Sequence, residues 1–118
     1  ITNARSVDVY NTLPLPASTR KPPEDYWLQP SGEHIVMGVF KGTKNEDFIV
    51  LGNRDIGTKR EATLAITGKF KSVRHLNKQT RKWSDLKLQG APGKQSVKVP
   101  IDKGDIELIQ VVPVAEKI

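Results

Sequence analysis

Chain-breaking clusters recur through this sequence roughly every 10–15 residues, a spacing that suits short strands joined by turns. They are Gly42 to Asn45, Asn53 to Thr58, Gly68-Lys69, Asn77 to Lys82, Gly90 to Lys94 and Asp102-Lys103-Gly104. Glycine, asparagine and aspartate suit such positions because they accept left-handed backbone or bond their own main chain. Nowhere do apolar residues hold a helical period over three turns, so the expected class is all-β.

Strand-like runs occupy residues 6–10, 34–41, 47–52, 61–67, 70–76, 83–88, 96–101 and 105–112. Runs 34–41 and 47–52 are apolar at both parities, which marks central strands buried on both faces. In 61–67, Ala62, Leu64 and Ile66 point one way and Glu61, Thr63, Ala65 and Thr67 the other, as in a half-buried strand. Val97, Val99 and Ile101 alternate against Lys98 and Pro100. Along 105–112 the apolar parity shifts from Ile106 and Leu108 to Ile109 and Val111, predicting a bulge or two-sided burial. The sum is an antiparallel two-sheet β-sandwich of about seven to nine strands, Greek-key-like.

The first third, residues 1–32, reads differently from the main strands of 33–118. Leu13-Pro14-Leu15-Pro16 and Pro22-Pro23 remove amide donors and bias the preceding residues to extended geometry. Residues 11–25 therefore form neither a ladder nor a helix; they are expected to lie extended across the domain, held by Leu13 and Leu15. A Pro-rich ligand for a partner module is the sharper alternative. The 118 residues suffice for one domain with one core. The opening Ile1 to Arg5 lacks an initiator Met and reads as the interior of a longer polypeptide, so an excised module is expected.

No catalytic or metal-binding constellation emerges. The chain has no cysteine, hence no disulfide frame, thiolate nucleophile or Cys-based metal set. His34 and His75 stand far apart without short-spaced partners, and no Gly-x-Ser-x-Gly elbow or phosphate loop occurs. Asp102-Lys103-Gly104-Asp105 falls short of the ligand count of a calcium loop. The acids include Asp8, Glu24, Asp25, Glu46, Asp47, Asp55, Asp85, Asp102 and Asp105, and most of them fall in expected turns where carboxylates serve turn bonding, so no pair is singled out. The expectation is no catalytic residue, no metal and no cofactor. No apolar run is long enough for a membrane span, so no membrane partner is expected.

Two groups remain as binding candidates. The net charge is +6, which favours polyanionic partners in general. Lys69, Lys71, Arg74, Lys78, Arg81 and Lys82 cluster in one acid-free stretch between Phe70 and Trp83, a composition that suits a polyanion. Against this, the cations divide between a strand and its turn, and a solvated hairpin explains them; nucleic acid is disfavoured as a partner. Tyr26, Trp27 and Trp83 are the candidates for a sugar platform, set against the ordinary use of aromatics as core anchors.

Several stretches together resemble the C-terminal β-sandwich of bacterial glycoside hydrolases, especially large gut-Bacteroidetes enzymes. They are Val9-Tyr10-Asn11-Thr12-Leu13-Pro14-Leu15-Pro16, Val39-Phe40, and Phe48-Ile49-Val50-Leu51-Gly52-Asn53-Arg54-Asp55. Val73 to Trp83 matches that family's "V-x-x-L-D-x-x-T-G-K-W" hairpin, and Val99 to Val111 its last strand. Asn77 replaces the usual Asp, and Arg81 stands where Gly is usual, at a position expected to need positive φ. The resemblance implies a non-catalytic accessory module that packs against the catalytic domain of the same parent chain. It also implies a polysaccharide as a further partner, and a periplasmic, cell-surface or secreted location.

Overall fold

The computed structural model describes residues 5–15, 20–42, 46–91 and 93–112. The reading of Ile1 to Ala4, Pro16 in the proline-rich segment, the turn at 43–45 and Pro92 lie outside these. Ten strands are present among the described residues, without a helix: β1 (Arg5–Asn11), β2 (Leu28–Ser31), β3 (Ile35–Lys41), β4 (Asp47–Asn53), β5 (Arg60–Gly68), β6 (Ser72–Asn77), β7 (Lys82–Asp85), β8 (Gln89–Ala91), β9 (Gly93–Ile101) and β10 (Ile106–Val112). They form two sheets, six-stranded in the order β1-β3-β4-β10-β6-β7 and four-stranded in the order β2-β5-β9-β8. All pairings are antiparallel. The expected all-β, two-sheet sandwich is what the chain forms.

Both strands beyond the sequence reading lie in the four-stranded sheet, at its edges. An edge strand bonds one neighbour and needs no apolar alternation, so neither Leu28–Ser31 nor Gln89–Ala91 advertises itself. Pro30 in β2 shows why a proline is tolerated there. The Thr67 amide donates to the Trp27 carbonyl (2.9 Å), and two-residue alternation then turns the backbone of Leu28 and Pro30 toward the open edge, where no donor is needed.

The core lies between the sheets. Ile35, Met37 and Val39 of β3, Ile49 and Leu51 of β4, and Ile109 and Val111 of β10 meet Leu28, Ala62, Leu64, Ile66, Val97 and Val99 from the other sheet. Enclosing each large aliphatic side chain contributes about 1.5–3 kcal/mol. The parity shift in β10 is two-sided burial and not a bulge, since its register with β4 runs unbroken from Ile106–Gly52 to Val111–Asp47.

The proline-rich segment is held differently from expectation. Leu13 and Leu15 are 55% and 40% exposed, and polar bonds fix the chain instead. The Asn11 amide donates to the Arg20 carbonyl (2.8 Å), the His34 amide to the Leu13 carbonyl (3.0 Å), and Gln29 Nε2 to the carbonyls of Pro23 (2.6 Å) and Tyr26 (3.0 Å). A proline carbonyl remains a good acceptor although the ring removes the donor, and Gln29 supplies the bond to Pro23 from outside the segment.

Candidate functional site

The two sheets present opposite outer faces to their surroundings. Outward positions of the four-stranded sheet are polar: Gln29 and Ser31 on β2, Glu61, Thr63 and Thr67 on β5, Lys94, Ser96 and Lys98 on β9. Those of the six-stranded sheet are mainly apolar, with Gln110, Ser72, Arg74 and Asp85 toward one end. Val9, Gly38, Val50 and Leu108 stand side by side on β1, β3, β4 and β10. Leu76 continues the row one residue beyond the last β10–β6 pair, Ile109 with His75, and pairs in turn with Trp83 on β7. Phe40 and Phe48 form the next row, Val36 and Ile106 the one on the other side.

All ten strands belong to the two sheets and the four-stranded sheet occupies the inner side, so no described strand remains to cover this face. Leu108 at its centre is only 8% exposed, while Val9 and Ile106 are 49% and 51% exposed. The Trp83 indole lies across the intervening strands, its ring 6.1 Å from that of Phe48. Phe40 and Val36 fold over the bare Cα positions of Gly38 and Gly52, where an added Cβ would approach them to 3.1 and 2.8 Å. The side chains thus flatten the surface. Arg74 and Asp85, paired at 3.3 Å, are the charged residues here among the outward positions of β3, β4, β10, β6 and β7. The two-sided apolar character expected of 34–41 and 47–52 is therefore real, but among the described residues a second sheet covers only the inner side.

The six cations do not converge. Arg74 is engaged on the outer face. Lys78 folds onto the β9–β10 connection, donating to Asp105 Oδ2 (2.6 Å) and the Ile106 carbonyl (2.8 Å), with Glu107 at 3.2 Å. The Asp105 bond raises the Lys78 pKa and Lys78 in turn lowers that of Asp105. Arg81 occupies the β6–β7 turn at φ 58°, the left-handed conformation expected at this position. Lys82 pairs with Asn77 and so points to the inner side of the hairpin. Lys69 and Lys71 lie on the connection between β5 and β6.

Nor do the three aromatics form one platform. Trp83 lies on the outer face, whereas Tyr26 and Trp27 precede β2 of the other sheet. Tyr26 packs edge-on against buried Tyr10 (5.0 Å between centroids), which carries the Arg20 guanidinium at 4.9 Å. Trp27 is half-buried against the core.

One polar centre was legible only as a turn. Buried Asn53 donates from Nδ2 to the carbonyls of Thr58 (2.8 Å), Ile101 (3.3 Å) and Asp102 (3.2 Å), and its Oδ1 accepts the Asp55 amide (2.9 Å). Arg54 Nη2 reaches the Thr12 carbonyl (2.7 Å). Asp55 accepts from Arg60 Nη2 (2.9 Å) and the Gly57 amide (2.9 Å), and these bonds lower its pKa. Asn53-Arg54-Asp55 thus ties the proline-rich segment, β5 and the β9–β10 turn to the end of β4. Among the described residues no group of three or more His, Asp or Glu side chains is placed to hold a metal, and no helix is long and apolar enough to cross a membrane.

Comparison with protein-family models, with curated proteins and with solved structures finds no match for this chain. The fold and surface by themselves define an all-β sandwich with one polar and one apolar outer face.

Proposed function

We propose that this chain is a non-catalytic accessory β-sandwich module of a glycoside hydrolase, packing against a separate catalytic domain through the outer face of its six-stranded sheet. The observation that carries the reading is the contrast between the two outer faces. A sheet face meant for water alternates to polar residues, as β5 and β9 do, and a contiguous apolar face marks a surface made to be covered. Among the described residues the charged groups at or beside it are paired, Arg74 with Asp85 and Lys78 with Asp105, so desolvating the face strands none of these as a lone ion. The glycoside hydrolase as parent, and the periplasmic, cell-surface or secreted location, rest on the resemblance of the motifs from Val9 to Val111.

Covalent footprinting tests the reading. The natural polypeptide that carries this sequence and the isolated 118-residue chain would be labelled in parallel. Val9, Phe48, Trp83 and Ile106 are expected to be protected in the natural polypeptide and labelled in the isolated chain. Equal labelling in both, or a natural polypeptide with no catalytic domain, overturns it.

A further inference from the structure

Trp27 and Lys69, drawn from the two different candidate groups, line one cleft at the end of the sandwich where the β5–β6 connection passes between the sheets. The cleft measures about 270 Å³, just under the roughly 300 Å³ at which sites for drug-sized ligands begin, so it suits one ring. Trp27 and Phe70 form its aromatic walls. Both pack on the core while staying half-exposed, so their rings are held in place yet reachable. Lys41 and Asp47, partners across β3 and β4, contribute an ion pair of 3.1 Å whose carboxylate side chain is only 17% exposed. Thr67 borders the rim, its side chain on the outward parity of β5. Among the described residues no carboxylate pairs with Lys69.

These groups state what they would accept. Aromatic walls favour a ring with an apolar face. An ammonium and a carboxylate beside them call for a polyhydroxylated rim. Two cations against one carboxylate leave the cleft positive, and the unpaired one is Lys69, so the ligand carries an anion. We propose that this cleft binds a single pyranose ring bearing an anionic substituent, its face against Trp27, its anion on Lys69 and its hydroxyls on Asp47 and Lys41. The cleft is separate from the outer face of the six-stranded sheet, so this inference stands or falls independently of the docking reading.

The test is titration of the isolated chain followed by amide and indole NMR correlation spectra, using galacturonate, galactose 6-sulfate and neutral galactose as probes. The Trp27 indole N–H and the Lys69 and Phe70 amides are expected to shift saturably with an anionic ring, the Trp83 indole to stay still, and galactose to need about tenfold higher concentration, the scale of one charge-assisted hydrogen bond. Response to only one of the two anionic sugars identifies carboxylate or sulfate as the anion recognised. The Lys69→Gln variant, altered at an exposed position, is expected to lose the preference for the anion while its spectrum reports an intact fold. No saturable shift of Trp27 with any probe, an equal response to galactose, or an undiminished preference in Lys69→Gln overturns the proposal.

Discussion

Arg54 donates from Nη2 to the main-chain carbonyl of Thr12 at 2.7 Å, joining the end of a central strand to the proline-rich segment. Leu13 and Leu15 of that segment are largely exposed, so its place depends on such polar ties. Arg54→Ala is therefore expected to free the segment more than the sandwich. Limited proteolysis should cut within residues 11–25 several-fold faster, while the urea midpoint falls by no more than about 1 kcal/mol equivalent, the usual net value of one hydrogen bond.

Asn53 is a different case because its bonds are buried and multiple. Two amide hydrogens serve three carbonyls, and replacing the side chain removes this donor from the Ile101 carbonyl beside the core, while the Asp102 carbonyl keeps the Asp105 amide. Asn53→Ala is expected to cost about 2–4 kcal/mol, several net hydrogen bonds together with the penalty for unsatisfied partners. Urea unfolding measures it, and a loss below about 1 kcal/mol would show the centre to be dispensable.

Acid stability follows from two carboxylates. Asp105, held by Lys78, and Asp55, held by Arg60 and the Gly57 amide, both have pKa values below the ordinary range. A depressed folded-state pKa means stability that is present above the unfolded value of about 3.9 and lost as pH falls through the folded one. The melting temperature should accordingly drop below about pH 4, and Asp55→Asn with Asp105→Asn should flatten that drop. Lys78, raised by Asp105, acts in the opposite sense: its share is complete below about pH 10.4 and disappears as pH rises through the folded value.

The turn at Arg81 gives a prediction of the opposite sign. At φ 58° a residue with a Cβ is strained, by about 1–2 kcal/mol, whereas glycine accepts this backbone freely. Part of the gain is offset by glycine's larger freedom in the unfolded chain. Arg81→Gly is expected to raise stability by about 0.5–1 kcal/mol, with Arg81→Ala near neutral; a loss in the glycine variant would mean that the arginine side chain contributes more than the strain costs.

How much of this was legible in the sequence depends on where the signal resides. The alternation of Ala62, Leu64 and Ile66 announces its strand because one face meets the core and the other water. The two edge strands give no such signal, Pro30 even arguing against β2. Positive φ at Arg81 was legible only through the resemblance, whose hairpin has Gly at this place; an arginine by itself gives no such signal. The convergence of Trp27 with Lys69, and the splitting of the other cations between Asp85, Asp105 and solvent, were not legible, because register and sheet order decide them over long sequence distances. The doubly apolar runs 34–41 and 47–52 were read as central strands buried on both faces or near it; they are central and apolar on both sides, but a second sheet covers only the inner one. What the sequence left open was whether the chain itself covers the second side.

That second side supplies the last prediction. Val9 and Ile106 are about half exposed at two places on the outer face, so lysine at either position meets no enclosed cavity. Surface substitutions of this kind change stability by about 0.5 kcal/mol or less. The double variant Val9→Lys with Ile106→Lys should therefore unfold at nearly the native urea concentration. If the face is an interface, the same two lysines must be desolvated against an apolar partner, at a cost of several kcal/mol. The expected outcome is an isolated chain of unchanged stability and weaker hydrophobic-dye binding, together with a natural polypeptide whose accessory module becomes protease-sensitive at its junction. Unchanged protection of the junction would show that the contact lies on another face.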